Sequence, residues 1–231
     1  SEEVIDSMAG VLLETFQGWC AGMYPKSFVK AVETFCKRKG ILLAFDEMQA
    51  GFYRTGKKFG FQNYDVKAQM ICVGKGMGGG LPLSGVIGEE QIMNNVLPGE
   101  LSSTHSANPL CCAAGNAVLD VMNNKTFLEE LKLSCRSFEK KGYEVSNKFD
   151  FLKRKSFFKG MVGAIIFDRE EKKDGTKEAN KFCEIALEKG LLVIKTGIHS
   201  VKLAPPLTMN KKQIERGFKI IENTLDEMNL T

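Results

Sequence analysis

The sequence predicts an α/β fold: a mixed, mostly parallel sheet in the first half, then a small α+β C-terminal domain. Three observations predict it. Apolar, strand-like runs alternate with helical patterns as far as residue 122. The two clearest runs, Ile41–Phe45 and Ala68–Val73, each lead into a polar, glycine-containing stretch, as βα units do. After Asn123-Asn124 a long charged amphipathic segment replaces the alternation, which places a boundary between domains at 1–123 and 124–231.

In chain order, Met8–Leu13 reads as a buried strand. Pro25 opens a helix on which Phe28, Val29, Val32, Phe35 and Cys36 recur with helical period, and Gly40 stops it. Strands follow at 41–45 and 68–73, with a further strand at Leu83–Gly88. Asn108-Pro109 opens a helix through about Met122. Beyond the boundary come an amphipathic segment (125–150), a strand at Met161–Phe167, a charged loop at Asp168–Lys177, a helix near 176–189 and a strand at Leu191–Ile194. A last helix sets Ile214, Phe218, Ile221, Leu225 and Met228 on one face.

Composition narrows the function classes. With 43% hydrophobic residues the 231-residue chain can build a core, and a net charge of +4 with mixed signs offers no footprint for nucleic acid. The basic clusters Lys37-Arg38-Lys39 and Lys153-Arg154-Lys155 read as solvated faces. No run approaches the roughly 20 apolar residues of a membrane span. Seven scattered cysteines and two histidines show no metal spacing, and read as reduced thiols of a cytoplasmic protein.

The chemistry is concentrated at two strand ends. Ile41–Phe45 delivers Asp46, and Ala68–Val73 delivers Gly74 and then Lys75. A parallel sheet gathers ligands at the carboxyl ends of its strands. One acid and one amine there suit pyridoxal phosphate, which needs a carboxylate at its ring nitrogen and an amine for its aldehyde.

Phe45-Asp-Glu-Met-Gln-Ala-Gly-Phe-Tyr-Arg-Thr-Gly56 and Gly74-Lys-Gly-Met-Gly-Gly-Gly-Leu-Pro82 resemble the signature of class III (ω-type) aminotransferases, fold-type I pyridoxal-phosphate enzymes. Glu14-Thr-Phe-Gln-Gly18, Ser103–Leu110 and Lys202-Leu-Ala-Pro-Pro-Leu207 fall in the family's order, so the likeness runs from Glu14 almost to the C-terminus. It implies that residues 1–123 are the C-terminal part of a cofactor-binding large domain and 124–231 the small domain. The family's phosphate turn and ring-stacking aromatic, which precede its Asp motif, have no counterpart here. The chain is therefore expected to be the C-terminal part of a longer enzyme, or a truncated relative inactive alone.

The resemblance also implies roles. Lys75, partly buried beside a cationic ring, forms the Schiff base with pyridoxal 5'-phosphate and later moves the substrate proton. Asp46 pairs with the ring nitrogen, Gln49 binds the phenolic oxygen, and Met48 packs on the ring where the family carries Val or Ile. Thr104 reaches the cofactor phosphate of the partner subunit in a homodimer. Glu47 and Arg54 also belong to the motif, and each is expected in an ion pair supporting the loop. Two departures touch the substrate pocket: Lys202 stands where the family has a carboxylate-clamping arginine, and Trp19 where it has a gating glutamate.

The activity implied is transamination, from an amino acid or amine to a 2-oxo acid or aldehyde. A racemase, epimerase or aminomutase on the same lysine is the alternative. More remote are a dinucleotide-binding Rossmann protein, suggested by Gly74-Lys-Gly-Met-Gly-Gly79, and a non-enzymatic interaction unit.

Overall fold

Three parallel strands govern the first half of the chain. In the computed structural model, which describes residues 2–152, 156–167 and 175–228, β1 (Gly10–Glu14), β2 (Leu42–Asp46) and β3 (Met70–Val73) align in that order. The register sets Glu14 beside Asp46 and Asp46 beside Cys72, so three polar side chains share the carboxyl edge. β4 (Gly85–Gly88) closes the sheet antiparallel to β3. Lys153-Arg154-Lys155 and most of the Asp168–Lys177 loop lie outside the described residues.

The chain divides into two compact units. The first comprises residues up to Phe16, Met23–Tyr53 and Lys57–Asn124; the second Gln17–Gly22, Arg54–Gly56 and everything from Lys125. In the first unit α1 (Glu2–Asp6) precedes β1, and α2 (Lys26–Lys39) joins β1 to β2. α2 buries Val29 and Cys36 in a core with Leu43, Phe45, Ile71 and Val73. Gly40 ends it in the left-handed conformation, φ 68°, donating its N–H to the Cys36 carbonyl. The Phe45 and Phe61 rings stack 5.8 Å apart, and Phe61 continues to Phe59 at 6.2 Å. After the short helix α3 (Glu90–Met93), Asn108 caps α4 (Pro109–Asn123) by accepting from the Leu110 and Cys111 amides.

The second unit is built on an antiparallel sheet. β5 (Phe157–Lys159), β6 (Val162–Ile166), β8 (Ser200–Leu203) and β7 (Ile194–Thr196) lie in that spatial order. Helices α5 (Lys125–Ser146), α6 (Thr176–Glu188) and α7 (Lys211–Glu227) complete it. Asn210 and Gln213 exchange side-chain and backbone hydrogen bonds at the start of α7, which then buries Ile214, Phe218, Ile221, Leu225 and, just past its end, Met228. The Phe218 ring lies 5.2 Å from Phe138 of α5. A Cβ on Gly142 would sit 2.3 Å from the Phe158 ring, so glycine is what lets α5 approach β5.

Several expectations are corrected. β1 is an edge strand with Leu12 59% exposed, not a buried strand; among the described residues it pairs with β2 alone. The strand expected at Leu191–Ile194 begins only at Ile194. β5 and β8 went unpredicted; three- and four-residue strands are too short for their period to show. The glycine run after β3 makes a 3-10 turn (Lys75–Gly78) and returns as antiparallel β4, where a dinucleotide-binding unit would enter its helix.

Arg54 is not engaged in an ion pair among the described residues. Its Nη1 donates to the carbonyls of Met161, at 2.8 Å, and Pro205, at 2.5 Å, while its own carbonyl accepts from Met161 N at 2.9 Å. Gly160, at φ 61°, makes the approach: a Cβ there would meet Gly56 N at 2.3 Å. Arg54→Ala should destabilise the second unit by about 3 kcal/mol, the cost of leaving two carbonyls unpaired. Arg54→Lys, lacking the planar fork, should recover only part of it. Urea denaturation of the three proteins measures both differences.

Candidate active site

Side chains alternate along β2, so Leu43, Phe45 and Glu47 face the core while Asp46 stands on the other face, half-buried. Asp46 Oδ1 accepts the Met48 amide at 2.9 Å, turning the chain out of the strand and fixing the carboxylate. Its Oδ2 accepts no hydrogen bond among the described residues. Met48 also lines the end of β3: its Cγ would lie 3.6 Å from a Cβ at Gly74. Gln49 is half-buried in the same turn and has a partner of its own.

Lys75 follows β3 by two residues. It is exposed, contrary to the expected partial burial, because the 3-10 turn lifts it clear of the sheet. Its backbone is left-handed at φ 46°, a conformation that costs a side-chain-bearing residue about 1–2 kcal/mol. The amine forms no ion pair with any described residue. Behind it α4 packs close, since a Cβ on Gly115 would fall 2.6 Å from Leu83 and 3.6 Å from the Met77 carbonyl.

Glu47 is what the sequence reading placed wrongly. Its side chain is fully buried, with no arginine near it among its hydrogen-bond partners. Oε1 accepts from Thr15 Oγ1 at 3.0 Å and Phe61 N at 2.8 Å, and Oε2 from Gly60 N at 2.7 Å. Desolvation raises its pKa; the three hydrogen bonds oppose that, and the neighbouring Asp46 charge adds to it. Tyr64, whose hydroxyl donates to the Thr15 carbonyl at 2.7 Å, is itself pushed up to about 12 by burial first and by other groups including Glu47. The available signal was an acid directly after Asp46 at the end of an apolar run, four residues ahead of Gly51 and thirteen ahead of Gly60.

Thr104 lies in an exposed turn ahead of α4 and does not cap it, that task falling to Asn108. Trp19 and Lys202 both belong to the second unit. Trp19 is 75% exposed, with its carbonyl beside Gly197. Lys202, on β8, lines a largely apolar cleft of about 500 Å³ with Leu203, Pro206 and Arg216.

The aminotransferase class-III family model matches residues 2–225. The chain belongs to the class III aminotransferases. A probable 4-aminobutyrate aminotransferase of Bacillus subtilis (strain 168) is 34% identical to it over 94% of this chain and 51% of that protein. A leucine/methionine racemase of Thermococcus litoralis is 32% identical over 98% of this chain and 52% of that one. The crystal structure of acetylornithine aminotransferase from Elizabethkingia anophelis superposes with a TM-score of 0.85 at 32% identity, covering 98% of this chain and 57% of that one. The chain thus spans about half the length of its relatives. Class III aminotransferases use pyridoxal 5'-phosphate, and the mixed, mostly parallel sheet is that of their fold-type I neighbours. No described helix of this aminotransferase chain is long and apolar enough to cross a membrane.

Two stability measurements probe the site without cofactor. Lys75→Gly should be more stable than Lys75→Ala by about 1 kcal/mol, because glycine takes φ 46° freely. Equal stabilities would deny the strain. For Glu47, the unfolded chain releases its proton near the ordinary 4.5, earlier than the folded one. The unfolded state therefore binds fewer protons in that window, and folding stability falls as pH rises. The stability of the wild type minus that of Glu47→Gln should decrease as pH rises through and above the ordinary 4.5.

Proposed function

We propose that the protein is a pyridoxal-phosphate-dependent transaminase, moving an amino group from an amino acid or amine to a 2-oxo acid or aldehyde. One observation carries the reading: of two adjacent parallel strands, one ends on Asp46, with Oδ2 unengaged among the described residues, and the other leads, two residues on, to an exposed Lys75 that forms no ion pair among them. That donor set fits the cofactor. A carboxylate oxygen without a donor accepts a ring N–H, and an unpaired amine attacks an aldehyde.

In this reading residues 1–123 contribute to the cofactor-binding large domain and 124–231 form the small domain. Asp46 would accept a hydrogen bond from the ring N–H and so keep the proton on that nitrogen. Met48 packs on the ring, Gln49 holds its phenolic oxygen, and Thr104 reaches the phosphate in the partner subunit of a homodimer. When bound, the cofactor supplies an aldehyde to receive the amino group and a ring that withdraws electrons from the substrate carbon. Lys75 would supply the amine that takes the proton from that carbon and delivers it to the former aldehyde carbon, the 1,3-transfer that transamination requires. Amino donor and oxo acceptor exchange one amino group, so no outside oxidant or reductant is consumed. Lys202 and Trp19 shape the substrate pocket, Lys202 offering a point charge to a carboxylate. The protein works in the cytoplasm, with small-molecule donor and acceptor as its partners.

A second reading, a racemase, epimerase or aminomutase on the same lysine, is favoured by the racemase relative. The purified holoenzyme decides between them. Borohydride reduction should fix the cofactor on the peptide holding Lys75, and label on another lysine contradicts the assignment. Given single amino acids and no oxo acid, a transaminase releases about one equivalent of oxo acid per site and stops. Sustained inversion of configuration without an acceptor would instead establish the racemase.

A further inference from the structure

We propose that Glu47 is a positioning residue for the cofactor site, acting through Asp46. The proposal rests on the transaminase reading above, and gives a task to a carboxylate that this reading leaves unused.

Glu47 joins three separate stretches of the first unit. Thr15 lies just beyond β1, Glu47 just beyond β2, and Gly60 and Phe61 open the 3-10 turn Gly60–Asn63. Three donors converge on its two oxygens within 3.0 Å. The backbone is held as well: Glu47 N donates to the Cys72 carbonyl at 2.9 Å, extending the β2–β3 ladder past Asp46, and its carbonyl accepts from Gly51 N at 2.8 Å. Gly60 fits only as glycine, since a Cβ would lie 2.3 Å from Thr15 Oγ1. Asp46 is thus fixed on both sides, by its own bond to Met48 N and by a neighbour that cannot move without breaking five hydrogen bonds.

Charge reinforces the geometry. The charged group acting on Glu47 is Asp46; Thr15, Gly60 and Phe61 offer neutral donors, and Tyr64 a neutral hydroxyl. A negative Glu47 beside Asp46 adds negative potential at that edge, which favours a protonated, cationic ring nitrogen. Glutamine keeps the shape but presents an NH2 toward a donor and drops the charge.

The test uses the holoenzyme. Glu47→Gln should weaken pyridoxal 5'-phosphate binding about tenfold, the equivalent of one charged hydrogen bond, with kcat falling and the donor KM within about twofold. Its bound cofactor should show a changed absorbance titration with pH, which a merely structural residue would leave alone. Thr15→Val removes one donor and spares the carboxylate, so it should shift affinity and kcat the same way by less. It serves where Glu47→Gln fails to fold. Loss of thermal stability alone, with affinity, kcat and absorbance titration unchanged in whichever variant folds, overturns the proposal. Borohydride label away from Lys75 in the wild type would instead overturn the function reading, and is scored separately.

Discussion

Parallel pairing of β1, β2 and β3 is the constraint on which the rest depends. Parallel strands present all their carboxyl ends at one edge, and each must leave through a connection that turns the chain over. Here that edge receives Glu14, Asp46 and Cys72 in register, with Lys75 following on the turn beyond β3. A slip of one residue would carry Asp46 into the core and bring Phe45 out of it, exchanging a polar edge for a buried charge. The core formed by α2 with Phe45, Ile71 and Val73 makes such a slip costly, so the packing of one face fixes the chemistry of the other.

The same edge carries the local costs. A buried carboxylate loses hydration, and Glu47 offsets that loss through three donors from two other stretches of chain. Lys75 sits in a left-handed conformation while glycines on both sides absorb the turn, with Gly74 extended and Gly79 at φ 60°. Strain of this kind persists where surrounding structure over-determines the backbone. Here the surroundings are the β3–β4 return and the close seat of α4 against the turn, made possible by Gly115. Rigidity below and an unpaired amine above belong to one design: the turn is held so that its side chain stays available.

Much of this was legible in the sequence. The helical period between Pro25 and Gly40 gave α2 with both ends, because a proline start and a glycine stop are local signals. Asn108-Pro109 announced α4 in the same way. Asp46 and Lys75 stood out because a polar residue after an apolar run needs a reason. What escaped depended on partners distant in sequence. The exposure of β1 follows from its place at the sheet edge, which a run of apolar residues does not encode. The fate of Glu47 was set by Thr15, 32 residues earlier, and that of Arg54 by Pro205, 151 residues later. Both side chains bond neutral groups, whereas an ion pair was expected of each. The partial burial expected of Lys75 failed for a local reason, the single turn of 3-10 helix it begins.

The central claim is that Asp46, held at the end of β2, keeps a ring nitrogen protonated. The most direct measurement is the 15N chemical shift of pyridoxal phosphate labelled at that nitrogen, bound to the holoenzyme and to Asp46→Asn. A protonated nitrogen is expected in the wild type and a neutral one in the variant. The same protonation state in both proteins would contradict it.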